Sequence, residues 1–153
     1  MRHDDEWLRR WRITLHLNLG DALERLERYA EARASVEAAR ELAVAEGLPE
    51  RAAGARVFLA RPHRLDGDAD RAWAILEDVF DSATADGWAY EEVAECLLAM
   101  GRGDEARTRF RRAHELHSAD PWFPPGEAAR LARLERLGRG GADRDVKSGD
   151  VLK

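Results

Sequence analysis

Apolar residues recur along this chain every three or four positions and almost nowhere in strict alternation. That period belongs to helices with one buried face. Ala, Leu, Glu and Arg dominate, and the Val, Ile and Thr clusters of strands are scarce. The fold class expected is all-α, with seven helices. The first two cover about residues 5–26 and 30–46. "GLPE" separates the second from the third, because Gly47 suits a helix C-terminus and Pro49 the start of the next helix. The third covers about 50–65, with a kink or break expected near 59–61 because Pro62 removes a helical hydrogen bond and crowds the preceding turn. The others cover about 69–85, 88–100, 104–117 and, after the breaker "SADPWFPPG", 127–137.

The helices repeat. Three of them carry an alanine, a large apolar residue four positions on, and a small or apolar one three further: Ala32-Val36-Ala39, Ala72-Leu76-Val79 and Ala106-Phe110-Ala113. Twelve residues before each leading alanine stands a small residue, Gly20, Ala60 or Ala94. Three positions after those come Leu23, His63 and Leu97. Small residues at both places let two helices approach to roughly 8–10 Å.

This spacing, with Leu19-Gly20, Tyr29 and Ala32 in one copy and Gly101, Ala106 and Phe110 in another, resembles the tetratricopeptide repeat, a helix–turn–helix unit of about 34 residues. The resemblance runs from Trp11 to Ala119, and the middle copy departs from it at Arg56 and His63, where the family usually has aromatics. It implies a right-handed α-solenoid of about three antiparallel helix pairs. "GEAARLARLERLG" would be the capping helix, with Ala128, Leu131, Leu134 and Leu137 as its apolar stripe. Residues 1–138 are then one repeat domain. The Gly-rich polar segment 139–153 buries too little to order itself and is expected to be a disordered tail.

Composition narrows the function. A net charge of −5 gives no electrostatic basis for nucleic-acid binding. No apolar run is long enough to cross a membrane and the N-terminus lacks a signal-peptide core, so a cytoplasmic protein is expected. Arginine almost replaces lysine, which occurs only at Lys147 and Lys153; with abundant Ala, Leu and Gly this points to a GC-rich bacterial genome.

Candidate chemistry is thin, and no catalytic set, metal site or cofactor is expected. Arg102-Gly103-Asp104 spells a cell-adhesion word, yet it falls where the repeat needs a turn. There Gly101 or Gly103 suits a left-handed helix end and Asp104 a cap. Asp66, Asp68, Asp70 and Glu77 resemble an EF-hand calcium loop, but Arg71 stands where its sharp turn needs glycine, and a capped turn fits better. His114 and His117 share a face at i, i+3 without a third ligand nearby, which is the pattern of solvent-exposed histidines. Cys96, the single cysteine, lies in an apolar helix and reads as a buried thiol. Trp7 and Trp11 sit at i, i+4 on the first helix. An ordinary local core explains one; a homodimer contact, or cover for a missing upstream repeat, is the alternative for both.

In the family resembled, the first helices of successive pairs line a concave groove that holds a peptide or protein partner. The positions implied here are Leu17, Asp21 and Glu24, then Phe58, Arg61 and Arg64, then Trp88, Glu91, Glu92 and Glu95. Some members clamp a carboxylate with Lys, Asn and Arg; Leu17, Asp21, Phe58, Trp88 and Glu92 supply none of these donors. The function expected is a non-catalytic interaction module, a relative of repeat domains of bacterial regulators. The alternative is an accessory domain of a transcriptional regulator that senses a ligand or signal peptide.

Overall fold

The computed structural model describes residues 2–80 and 85–140. Its helices are α1 (Arg2–Arg25), α2 (Tyr29–Ala45), α3 (Pro49–Leu65), α4 (Ala69–Phe80), α5 (Gly87–Ala99), α6 (Gly103–Ala119) and α7 (Ala128–Arg139), with a short 3-10 turn at Pro125–Glu127. Each helix packs on the next, and α3 also touches α1 and α5. The result is an all-α helical repeat solenoid. Its first helices, α1, α3 and α5, form one layer and its second helices, α2, α4 and α6, the other. The end of the fourth expected helix and most of the expected tail lie outside the described residues. Helix α7 runs to Arg139 and is capped by Gly140, so a domain boundary at 138 would cut its last turn.

The repeat spacing is visible in the packing. Gly20, Ala60 and Ala94 are buried, as are Ala32, Ala72 and Ala106 across from them. A Cβ on Gly20 would stand 2.6 Å from Val36 Cγ2, so α1 and α2 cross where only glycine fits. Val36, Leu76 and Phe110 fill the space beside each crossing. The core has two parts. The larger joins α3 to α7 around Leu76, Leu97, Phe110 and Leu134. The smaller holds Ile13, Ala39 and Ala43, with Leu17 and Leu42 packed against them. Half-exposed His63 stands where the other copies bury Leu23 and Leu97, and this is where the apolar continuity thins.

Four turns share one backbone solution. In each, a residue of positive φ follows the helix: Glu27 (59°), Gly47 (66°), Gly67 (90°) and Gly101 (77°). The next residue, Arg28, Leu48, Asp68 or Arg102, donates its N–H back to the carbonyl of Leu23, Ala43, His63 or Leu97. This satisfies the orphan carbonyl of the ending helix. The turn at 101–103 therefore uses Gly101 as its left-handed residue. Gly103 is the first residue of α6, with open space where a Cβ would go. Asp104 does not cap α6. The cap position belongs to Arg102, without a side-chain bond, and Asp104 pairs with Arg107 in the first turn. Arg102 is occupied by Glu105 and lies 5.0 Å from the Trp73 ring centroid, so the adhesion word describes a packed turn.

Glu27 is the one non-glycine among the four left-handed residues, and it accepts the steric cost of that conformation. Glu27→Gly is expected to raise stability by roughly 0.5–1 kcal/mol, the steric relief less the entropy glycine loses on folding. Gly101→Val should lower it and Gly103→Val should not. Urea midpoints at unchanged slope measure all three. Equal loss at positions 101 and 103 would contradict the turn geometry.

Pro62 does not break α3, which continues to Leu65. It stands in the last turn, where one hydrogen bond is lost, and its buried ring packs while its carbonyl accepts the Asp66 N–H at 3.1 Å. Asp68 caps α4 by accepting the Arg71 N–H at 3.0 Å, and Asp66 pairs with Arg33, so both carboxylates have structural partners.

Candidate functional site

Along the first-helix layer the charged residues fall into doublets three residues apart, on one face of each helix. Helix α1 carries Asp21 and Glu24, α3 carries Arg61 and Arg64, α5 carries Glu92 and Glu95, and α7 carries Arg130 and Arg133. The sign alternates from helix to helix. Glu24 meets Arg61 at 2.9 Å. Arg64 Nε and Nη2 donate to Glu92 Oε1 and Oε2 at 2.6 and 3.1 Å. Glu95 takes two bonds from Arg133, and Glu91 lies 3.7 Å from Arg130. Asp21 pairs within its own helix, with Arg25 at 3.0 Å.

The Arg64–Glu92 rung is nearly dry, while the Glu24–Arg61 rung is open on its arginine side. Glu24 and Glu92 are buried, and Arg64 is nearly so. Burial pushes both carboxyls up against the opposing pull of Arg61 and Arg64. Burial also opposes the charge on Arg64, but the hydrogen bond and charge of Glu92 outweigh it, and the guanidinium is held protonated more firmly than in water. Cys96 donates to Glu92 Oε1 at 3.8 Å, and burial first, then the Glu92 charge, pushes its thiol up to about 12. A thiol so placed is not a nucleophile at neutral pH.

Trp88 borders the ladder at its α7 end. Its ring meets buried His117 edge-on at 4.6 Å, Phe123 at 5.8 Å and the Arg130 guanidinium at 4.9 Å. His117 is thus not an exposed histidine. A Cβ on Gly87 would stand 2.7 Å from its Nδ1, so glycine at the start of α5 makes the room that the ring fills. Its Nε2 lies 3.2 Å from Glu91 Oε2. His114 stays half-exposed near Ser118. No group of three or more potential metal ligands gathers among the described residues.

The structure therefore divides the expected groove residues. Glu24, Arg61, Arg64, Glu91, Glu92 and Glu95 are joined by ion pairs within the first-helix layer and out to α6 and α7. Leu17 leans on the smaller core. Phe58, 41% exposed, and Trp88, 37% exposed, keep free apolar surface, and Trp122, beyond Trp88 in the proline-rich loop, is 89% exposed. Sequence reasoning passed over Arg130, Arg133 and Phe123, and read His117 as exposed. The arginine doublet on α7 repeats the spacing of Arg61 and Arg64, a signal present in the sequence. The partnership of His117 with Gly87, thirty residues away, leaves no such mark.

Residues 63–121 match the family model of the tetratricopeptide repeat. This stretch is similar to the tetratricopeptide-repeat family. The match begins at the end of α3 and spans α4, α5 and α6, the pairs built around the larger core. No curated protein matches the chain. Repeats of this family generally mediate protein–protein interactions. No helix among the described residues is long and apolar enough to cross a membrane.

Proposed function

We propose that this chain, from the likeness of residues 63–121 to the tetratricopeptide repeat, is a non-catalytic interaction module whose first-helix face receives a peptide or a segment of a partner protein. The observation that carries the reading is the division of labour on that face. The charged doublets neutralise one another and hold successive helices at fixed spacing, while Phe58 and Trp88 keep exposed aromatic surface. Aromatic anchors beside satisfied polar groups are the usual makeup of a binding hot spot. Recognition then rests on apolar side chains of the partner more than on a salt-bridged clamp, because the carboxylates and guanidiniums of the face are already engaged.

Capture experiments with the purified chain test this. Phe58→Ala with Trp88→Ala should lose the bound protein that the wild type retains. Ala34→Arg, an exposed change on α2 in the opposite layer, should keep it. Retention by the double variant, or loss by the α2 variant alone, would overturn the assignment of the first-helix face.

A further inference from the structure

Helix α1 has two apolar faces. One carries Ile13, Gly20 and Leu23 into the fold. The other points away from it and carries Leu8, Trp11, Leu15, Leu19 and Ala22, continued by Leu26 in the turn that follows, spaced 3, 4, 4, 3 and 4 residues apart. The five large residues of this stripe are between 44% and 66% exposed. An amphipathic end helix needs only its inner face to cover the solenoid, so the outer stripe has no use within the described chain. The groove reading does not need it either.

We propose that this stripe is the interface of a homodimer, in which α1 packs antiparallel on α1 of a second copy about a two-fold axis. Three features point to the same occupant. The spacing is that of a helix–helix seam, where residues three and four apart interlock with those of a facing helix. The stripe covers about 27 Å of helix at 1.5 Å per residue and offers on the order of 600 Å² of apolar surface per copy. That approaches the ~800 Å² per partner of a stable interface. The stripe also complements itself when reversed. Setting Leu8 against Leu26 of the other copy places Leu15 against Leu19 and bulky Trp11 within one residue of the small Ala22, and the two-fold axis repeats each pair. The same register sets Trp7, 59% exposed, two residues short of Arg25 of the other copy, within reach of that long cationic side chain. Trp7 and Trp11 already lie together, with ring centroids 5.6 Å apart.

Sedimentation equilibrium of the full chain, up to about 100 µM where a micromolar interface is filled, should give the dimer mass. Leu15→Glu should give the monomer mass with the helical circular dichroism unchanged, since Leu15 touches no core. Ala22→Trp should weaken the dimer at least tenfold because it meets Trp11, although position 22 is exposed in the single copy. A wild-type monomer throughout this range would overturn the proposal and leave the stripe to another occupant, such as a neighbouring segment of a longer chain or a different protein. A dimer that survives Leu15→Glu would overturn the choice of face. Neither outcome touches the first-helix reading, which the capture experiment tests by itself.

Discussion

Replacing Glu92 with alanine is expected to cost about 3–5 kcal/mol, because it leaves the buried Arg64 guanidinium without its two-bond acceptor. The intact pair is not thereby a large net source of stability. Taking both charges out of water offsets most of their attraction, which is why burial pushes the Glu92 carboxyl up even beside a guanidinium. The expected signature is a large loss for either single change, Glu92→Leu or Arg64→Met, and a much smaller one when the two are made together. Denaturant midpoints of the four proteins form the cycle. By contrast Glu105→Ala, which removes the exposed partner of Arg102, should be barely measurable. Additive losses at positions 64 and 92 would show that the pair is not coupled as its geometry requires.

Phe110→Ala should be of similar size, about 3–5 kcal/mol, through lost burial and the cavity left behind. Phe110 is among the largest fully buried side chains and sits in the larger core, with the Arg133 guanidinium 5.9 Å from its ring centroid. Stacked repeats couple chiefly to their neighbours. Hydrogen exchange in the variant should therefore quicken across α5, α6 and α7 before α1 and α2, whose core is the separate cluster around Ile13. Loss of protection at one rate along the whole chain would show that the two clusters unfold as one.

Much of the fold was legible from spacing alone, for physical reasons. Alanine at a helix crossing is a steric requirement with a fixed period, so Ala32, Ala72 and Ala106 could be aligned without coordinates. Glycine marked three of the four left-handed turn residues. The fourth is Glu27, and nothing local identifies a glutamate that accepts positive φ. Pro62 misled because its cost depends on how much helix follows it, and only three residues do. At the candidate site the residue types were visible but their partnerships were not. Arg61, Arg64, Glu92 and Glu95 each stood out as charges on one layer. That each is satisfied from a neighbouring helix depends on the stacking distance between helices some thirty residues apart. His117 was read as exposed from its spacing to His114. A period reports which residues share a face and says nothing about whether a distant glycine opens a space for one of them.

The alternation of sign along the first-helix layer carries a rule of parity. Acidic α1, basic α3, acidic α5 and basic α7 pair only because each neighbour has the opposite charge. A duplication of α3 and α4 alone would set Arg61 and Arg64 against a copy of themselves, a like-charge contact in a nearly dry site. Duplicating two successive helix pairs would restore opposite neighbours at every junction. An array with this ladder therefore lengthens or shortens comfortably in steps of two pairs, and a single added pair must bring new residues at the doublet positions. Single-pair and two-pair duplications of this chain thus differ in kind, although each merely repeats helices that already fold.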